Sequence, residues 1–214
     1  MGKSLTPSDW IDLLKIHRAI AVIRSDEVAL GLKMAQVVAA GGLRLIEVTW
    51  NSSNPAQLVT QLREQLPNCR IGVGTILAPD ELREAIAAGA EYAFMPYCDR
   101  AVMDYALHRE IPIIPGALTP TEIMNAWQMG ATCIKVFPVQ SLGGPTYIKS
   151  LRDPLGDLPL IPTGGVTVEN ARSLVDAGAI AVGLAGNLFP KEAIRDGDWG
   201  LVQVQAEKLV RSFG

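Results

Sequence analysis

The sequence predicts an α/β fold, a closed (β/α)8 TIM barrel with an N-terminal capping helix. Three observations carry that prediction. Short apolar runs alternate with longer amphipathic ones along 214 residues, the pattern of βα units around a parallel sheet. Eight apolar runs have strand length, which is the number that closes such a barrel. Glycine recurs between helix and strand, in Ala40-Gly41-Gly42, Ala88-Gly89-Ala90, Met129-Gly130-Ala131 and Ala177-Gly178-Ala179. A glycine there fits a left-handed residue that ends the helix before the chain turns into the barrel.

The elements follow in order. A leading helix over Pro7–His17 is placed across one mouth of the barrel. The first strand, Ala19–Ile23, leads to a helix over Glu27–Ala40, and the second strand is Leu43–Val48. The third strand, Ile71–Gly74, precedes a helix over Pro79–Ala88, then come the fourth and fifth strands, Tyr92–Met95 and Pro112–Ile114. A helix over Thr121–Met129 leads to the sixth strand, Thr132–Phe137. The seventh strand, Leu160–Pro162, the helix Val168–Ala177 and the eighth strand, Ala179–Gly183, complete the count. No linker, low-complexity stretch or charge block divides the chain, so residues 1–214 are expected to form one domain. An open doubly wound sheet is the rival. Its GxGxxG turn is missing after the first strand, where Ile23-Arg24-Ser25-Asp26 stands.

Composition narrows the function. Apolar residues make up 49% of the chain and charged ones 19%, enough to bury a core and too ordered a mixture for a disordered segment. A net charge of −3 creates no field for nucleic acid or an anionic membrane, and no basic run with interleaved aromatics appears. Cys69, Cys98 and Cys133 are an odd number without CxxC spacing, which argues against a disulfide framework and a structural zinc site. No leader-like apolar stretch follows Met1, and no run is long enough to span a bilayer. A cytoplasmic protein is expected.

In such a barrel the reacting groups stand at the carboxyl ends of the strands. Alternation in the sixth strand puts Cys133, Lys135 and Phe137 on one face and Ile134 and Val136 on the other, against helices. Lys135 therefore points inward. An amine held in an apolar interior favours its neutral, nucleophilic form and can add to a ketone. The protonated imine so formed is an electron sink for breaking a neighbouring carbon–carbon bond. The second strand puts Leu45, Glu47 and Thr49 on its inward face, and Glu47 is the carboxylate embedded in an apolar strand. Even-numbered strands share inward layers, so Glu47 can face Lys135 and move its protons. A buried Glu47–Lys135 ion pair with no chemical role is the competing possibility, since it would hold the amine charged. A bridging water would reconcile proximity with catalysis.

Anion-binding groups are expected at the same mouth. Pro162-Thr163-Gly164-Gly165 ends the seventh strand before a helix beginning near Thr167, and Gly183-Leu184-Ala185-Gly186-Asn187 ends the eighth. Paired glycines let backbone N–H groups approach a phosphate, and these two loops are its usual seat in barrels. Arg24, beside the eighth strand in a closed barrel, offers a charged fork; a surface salt bridge is its plainer use. Thr75 and Pro115-Gly116 lie at the same mouth. His17 and His108 have no metal-ligand spacing and read as structural.

With these residues in place, the sequence resembles the 2-keto-3-deoxy-6-phosphogluconate / 4-hydroxy-2-oxoglutarate aldolases over nearly its whole length. The match is carried by Glu47-Val48-Thr49, Gly74-Thr75-Ile76-Leu77, Ile114-Pro115-Gly116, Lys135-Val136-Phe137-Pro138 and Pro162-Thr163-Gly164-Gly165. The resemblance implies a class I aldolase on a (β/α)8 barrel, needing no metal or cofactor and typically assembled as a homotrimer. It implies that Lys135 forms the Schiff base, Glu47 is the general acid/base, Thr75 contacts the keto-acid carboxylate and Phe137 packs on the substrate. Gly164 and Gly165, with the Gly186-Asn187 loop, would hold the phosphate, and Pro96 keeps the proline common after the fourth strand. The chain departs from the pattern at Asn51, where an arginine usually binds the pyruvoyl carboxylate. Asn51-Ser52 is closer to the branch acting on 2-keto-3-deoxy-6-phosphogalactonate. Gly186-Asn187 also stands where a serine is common. The expected substrates are a 2-keto-3-deoxy sugar-acid phosphate, cleaved to pyruvate and glyceraldehyde 3-phosphate, or 4-hydroxy-2-oxoglutarate, cleaved to pyruvate and glyoxylate. A phosphate-binding barrel isomerase or decarboxylase, and a non-catalytic barrel that only binds a sugar-acid phosphate, are the alternatives.

Overall fold

A computed structural model of the chain describes residues 5–214. Its strands are β1 (Ala19–Ile23), β2 (Leu45–Thr49), β3 (Arg70–Gly74), β4 (Ala93–Phe94), β5 (Ile113–Ile114), β6 (Gly116–Ala117), β7 (Ile134–Val136), β8 (Leu160–Pro162) and β9 (Val182–Leu184). Strands β5, β4, β3, β2, β1 and β9 form one parallel sheet in that order, and β6, β7 and β8 form another. The two join at both ends. Pro115 separates β5 from β6, which together fill the fifth position of the barrel, and its carbonyl accepts from Lys135 N–H at 2.9 Å. Across the other seam Ile180 N–H donates to Leu160 O at 3.0 Å. The eight predicted strands are thus all present, curled into a barrel.

Several predicted strands begin later than expected, for one reason. After each left-handed junction glycine the next residue is still hydrogen-bonded to the preceding helix. Leu43 N–H donates to Val38 O at 3.0 Å, Ala90 to Ala85 O at 3.0 Å and Ala179 to Leu174 O at 3.1 Å. Gly42, Gly89, Gly130 and Gly178 have φ between 92° and 109°, the left-handed closure that releases the chain into the barrel. So β2 starts at Leu45 rather than Leu43, and β9 at Val182 rather than Ala179.

The outer helices include α1 (Pro7–His17), α2 (Val28–Ala40), α3 (Pro55–Gln65), α4 (Pro79–Ala87), α5 (Arg100–His108), α6 (Pro120–Gln128), α7 (Pro145–Leu155), α8 (Val168–Asp176), α9 (Lys191–Asp196) and α10 (Trp199–Arg211). Among the described residues, no helix is long and apolar enough to cross a membrane. Residues facing outward from the strands, such as Ile46, Val48, Ile134 and Val136, are fully buried beneath these helices. Those facing inward form a separate apolar layer that includes Ile20, Leu45, Phe94, Cys133, Ile161 and Ala181. Helix α1 closes the layer from below: Trp10 and Leu14 are fully buried in it, and Trp10 stacks on Tyr92 with ring centroids 4.0 Å apart. The bottom mouth is therefore plugged, while the carboxyl ends of the strands face an open cavity.

Candidate active site

Two residues further along the inward faces, the apolar layer gives way to a largely polar one. Leu45 is followed by Glu47, Cys133 by Lys135, Ile161 by Thr163 and Ile20 by Val22. These residues line a cavity of about 340 Å³ at the upper mouth. Arg24, Thr75, Pro96, Phe137, Gly164, Gly165, Gly186 and Asn187 line it as well. The barrel has brought together every predicted site residue but one.

That one is Asn51. Strand β2 ends at Thr49, and the chain turns at once, with Ser52 N–H donating to Thr49 O at 2.9 Å. The turn drives Ser52 inward, where its hydroxyl lies 3.2 Å from Thr49 Oγ1 and accepts from Ser25 N–H at 3.2 Å. Asn51 is left exposed on the outside of the turn and does not line the cavity. Thr49 takes the place instead, almost wholly buried at the cavity wall. Sequence reasoning set Thr49 on the Glu47 face without assigning it to the site; Val22 was missed, although the same alternation points it inward.

Glu47 is seated by two glycines on β3. A Cβ added at Gly74 would stand 1.7 Å from Glu47 Oε1, so only glycine leaves room for the carboxylate. A Cβ at Gly72 would stand 2.3 Å from the Tyr92 ring, which supports the same floor and donates its hydroxyl to Ile46 O at 2.7 Å. Glu47 is 2% exposed. Burial pushes its carboxyl above the ordinary range, against the opposing pull of the Lys135 and Arg24 charges. The same burial, with the Glu47 charge next, pushes the Tyr92 phenol well up.

Lys135 is half-buried on β7, with Nζ 5.3 Å from the centre of the Phe137 ring. Among the described residues no salt bridge or hydrogen bond joins Lys135 to Glu47; the carboxylate feels the lysine only through space. The direct ion pair weighed as a structural role for the two is not formed. Both side chains line the same cavity, an arrangement in which a proton can pass between them through water.

The two glycine loops meet at the cavity. Gly164 and Gly165 both have φ of 82°, and Gly164 lies against Phe137. Helix α8 begins behind them with Thr167 as its cap, whose hydroxyl accepts from Asn170 N–H at 3.2 Å. Asn170 Nδ2 in turn donates to Gly165 O at 3.0 Å. Asn187 Nδ2 donates to Val166 O at 3.1 Å, tying the two loops together. One of its two amide N–H donors is thus engaged within the protein. Arg24 is exposed at the rim, and among the described residues it has no salt-bridge partner. Two further observations mark the cavity as a ligand site. Thr163 Oγ1 is buried with no hydrogen-bond partner among the described residues, and Thr75 holds φ of 58°, a strained value for a β-branched residue. His17 and His108 lie in α1 and α5, away from the cavity.

Comparison with known proteins agrees with this geometry. Residues 11–205 match the family model described as "Aldolase: KDPG and KHG aldolase". The chain is 35% identical to a 2-dehydro-3-deoxy-phosphogluconate aldolase of Pseudomonas aeruginosa, covering 94% of this chain and 91% of that protein. It is 28% identical to a KHG/KDPG aldolase of Escherichia coli, covering 92% and 93%. Among solved structures it resembles a KDPG aldolase of Legionella pneumophila in which pyruvate was captured as a covalent carbinolamine. That likeness has a TM-score of 0.86 at 27% identity, over 96% of this chain and 98% of that one.

Proposed function

The chain belongs to the KDPG and KHG aldolase family, and on that premise we propose that it reversibly cleaves a 2-keto-3-deoxy sugar-acid phosphate to pyruvate and glyceraldehyde 3-phosphate. One observation carries the proposal: Lys135 and Glu47 meet, without pairing, in a single cavity bounded by the glycine loops after β8 and β9. Lys135 adds to the C2 ketone, and Glu47 relays protons through carbinolamine formation and loss of water. The C4 hydroxyl then gives up its proton through water to Glu47, and the C3–C4 bond breaks as its electron pair moves into the iminium. Protonation of the resulting enamine at C3 and hydrolysis of the imine release pyruvate and regenerate the amine. Thr163 and Thr75 are assigned to the polar end of the substrate, Phe137 and Pro96 to its carbon skeleton, and Gly164, Gly165 and Gly186 to its phosphate. Asn187 holds that loop in place.

The test is borohydride reduction in the presence of pyruvate, read by intact mass. A stable adduct located at residue 135, and lost in Lys135→Ala, is the expected result; no adduct on the folded wild type would overturn the mechanism. A second substrate, 4-hydroxy-2-oxoglutarate, is favoured by Arg24, whose uncommitted guanidinium suits a distal carboxylate as well as a phosphate. Cleavage rates measured side by side on it and on the gluconate- and galactonate-derived phosphates decide among the three. The match over residues 11–205 supports a single catalytic domain. The homotrimer typical of such enzymes predicts a scattering mass three times that of the chain.

A further inference from the structure

Beside the reaction cavity lies a second hollow of about 720 Å³, between α2 and α9. Arg24 and Gly186 line both spaces, so the two adjoin there. The far wall is apolar, formed by Leu30 and Met34 of α2 and Ile194 of α9. Its rim carries Lys191 and Asp26. Among the described residues, Lys191 has no salt-bridge partner. Leu30, Met34 and Ile194 do not line the reaction cavity, so the proposed cleavage leaves this apolar wall unused. The hollow adjoins the cavity at Arg24 and Gly186, the groups set at the distal end of the substrate.

We propose that it is a second acceptor subsite, which takes the tail of aldehydes made of a saturated chain ending in a carboxylate. The inference rests on the Schiff-base reading of Lys135. In the addition direction, C3 of the Lys135-bound pyruvate enamine gives its electron pair to the aldehyde carbon. A carbon–carbon bond forms, the carbonyl π pair moves to oxygen, and that oxygen takes a proton. Water then cleaves the imine, freeing the amine and a 4-hydroxy-2-keto acid that carries the tail. No oxidant or reductant enters. The methylenes of the tail lie on the wall of Leu30, Met34 and Ile194, each worth roughly fourfold in binding when buried. The terminal carboxylate reaches Lys191 or Arg24.

The experiment uses the full chain with pyruvate and three aldehydes: propanal, pentanal and 5-oxopentanoate. In the wild type, kcat/KM for pentanal should exceed that for propanal by about tenfold, the worth of two partly buried methylenes, and 5-oxopentanoate should exceed pentanal. Ile194→Trp, which fills the hollow, should bring pentanal down to the level of propanal. Lys191→Met should lower only the carboxylated aldehyde. Leu30→Phe gives a second filled hollow should the tryptophan variant fail to fold. Equal rates for all three aldehydes in the wild type would overturn the proposal, as would a filled variant that keeps the preference. A change in scattering mass on filling would assign the hollow to contact between copies and overturn it too. Failure of pyruvate trapping, seen before any aldehyde is added, would strike the aldolase reading itself.

Discussion

Glu47 shows how one buried carboxyl couples function to stability. Its native pKa is raised by burial, with the Lys135 and Arg24 charges opposing, so the folded chain holds this proton more tightly than the unfolded chain does. The stabilisation that results is complete below the ordinary value of 4.5 and is lost as pH rises through the native value. Glu47→Gln removes the cost of ionising the buried group. The variant should therefore melt higher than the wild type at pH 8, by a margin that shrinks towards pH 4.5; a margin independent of pH would contradict this. Its kcat should fall by roughly 10²-fold, the scale of a lost proton shuttle, while pyruvate is still trapped at Lys135. Gly74 tests the same carboxylate from its other side. Gly74 has an ordinary negative φ, so alanine suits its backbone, yet the added methyl would overlap Glu47 Oε1. Gly74→Ala should cost about 1–3 kcal/mol by overpacking and lower kcat at least tenfold, read by denaturant melts and steady-state kinetics.

At the scale of the element, the start of α8 is both a helix cap and a support for the Gly164-Gly165 loop. Thr167 N–H donates to Asn170 Oδ1 at 2.8 Å, and Asn170 Nδ2 holds Gly165 O at 3.0 Å. Asn170→Ala breaks the reciprocal cap and should cost about 1 kcal/mol of stability. It also frees the Gly164-Gly165 loop, so KM for a phosphorylated substrate should rise several-fold with a smaller change in kcat. A loss of stability with KM untouched would show that the loop does not depend on this tie. The strands show the opposite balance. They are short because the αβ junctions keep three further residues bonded to the helix, and their inward faces matter more than their length.

Across the whole molecule, α1 and the inward apolar layer act as a floor on which the site stands. Trp10 has no exposed surface and stacks on Tyr92, whose ring fills the space beside Gly72. Trp10→Ala should cost about 3–5 kcal/mol, which at about 2–4 °C per kcal/mol for a chain of this size lowers Tm by roughly 10 °C. Calorimetry checks that, and a shift under 3 °C would mean the plug is not part of the cooperative core.

Much of this was legible before any coordinates. Side chains alternate along a strand as a local consequence of backbone geometry, so Lys135, Glu47 and Ile134 could be assigned to their faces from the sequence, and the junction glycines marked where the helices end. What a side chain meets across the barrel is not local. The room that Gly72 and Gly74 make for Tyr92 and Glu47, the separation of Lys135 from Glu47, and the capture of Asn187 by Val166 all depend on how strands far apart in sequence are set against one another. Asn51 failed for the same reason: the turn after Thr49 is bonded to Ser25 and Gly74, partners remote in the chain, and they turned Ser52 inward and Asn51 out. Periodicity chose the faces; closure of the barrel chose the neighbours.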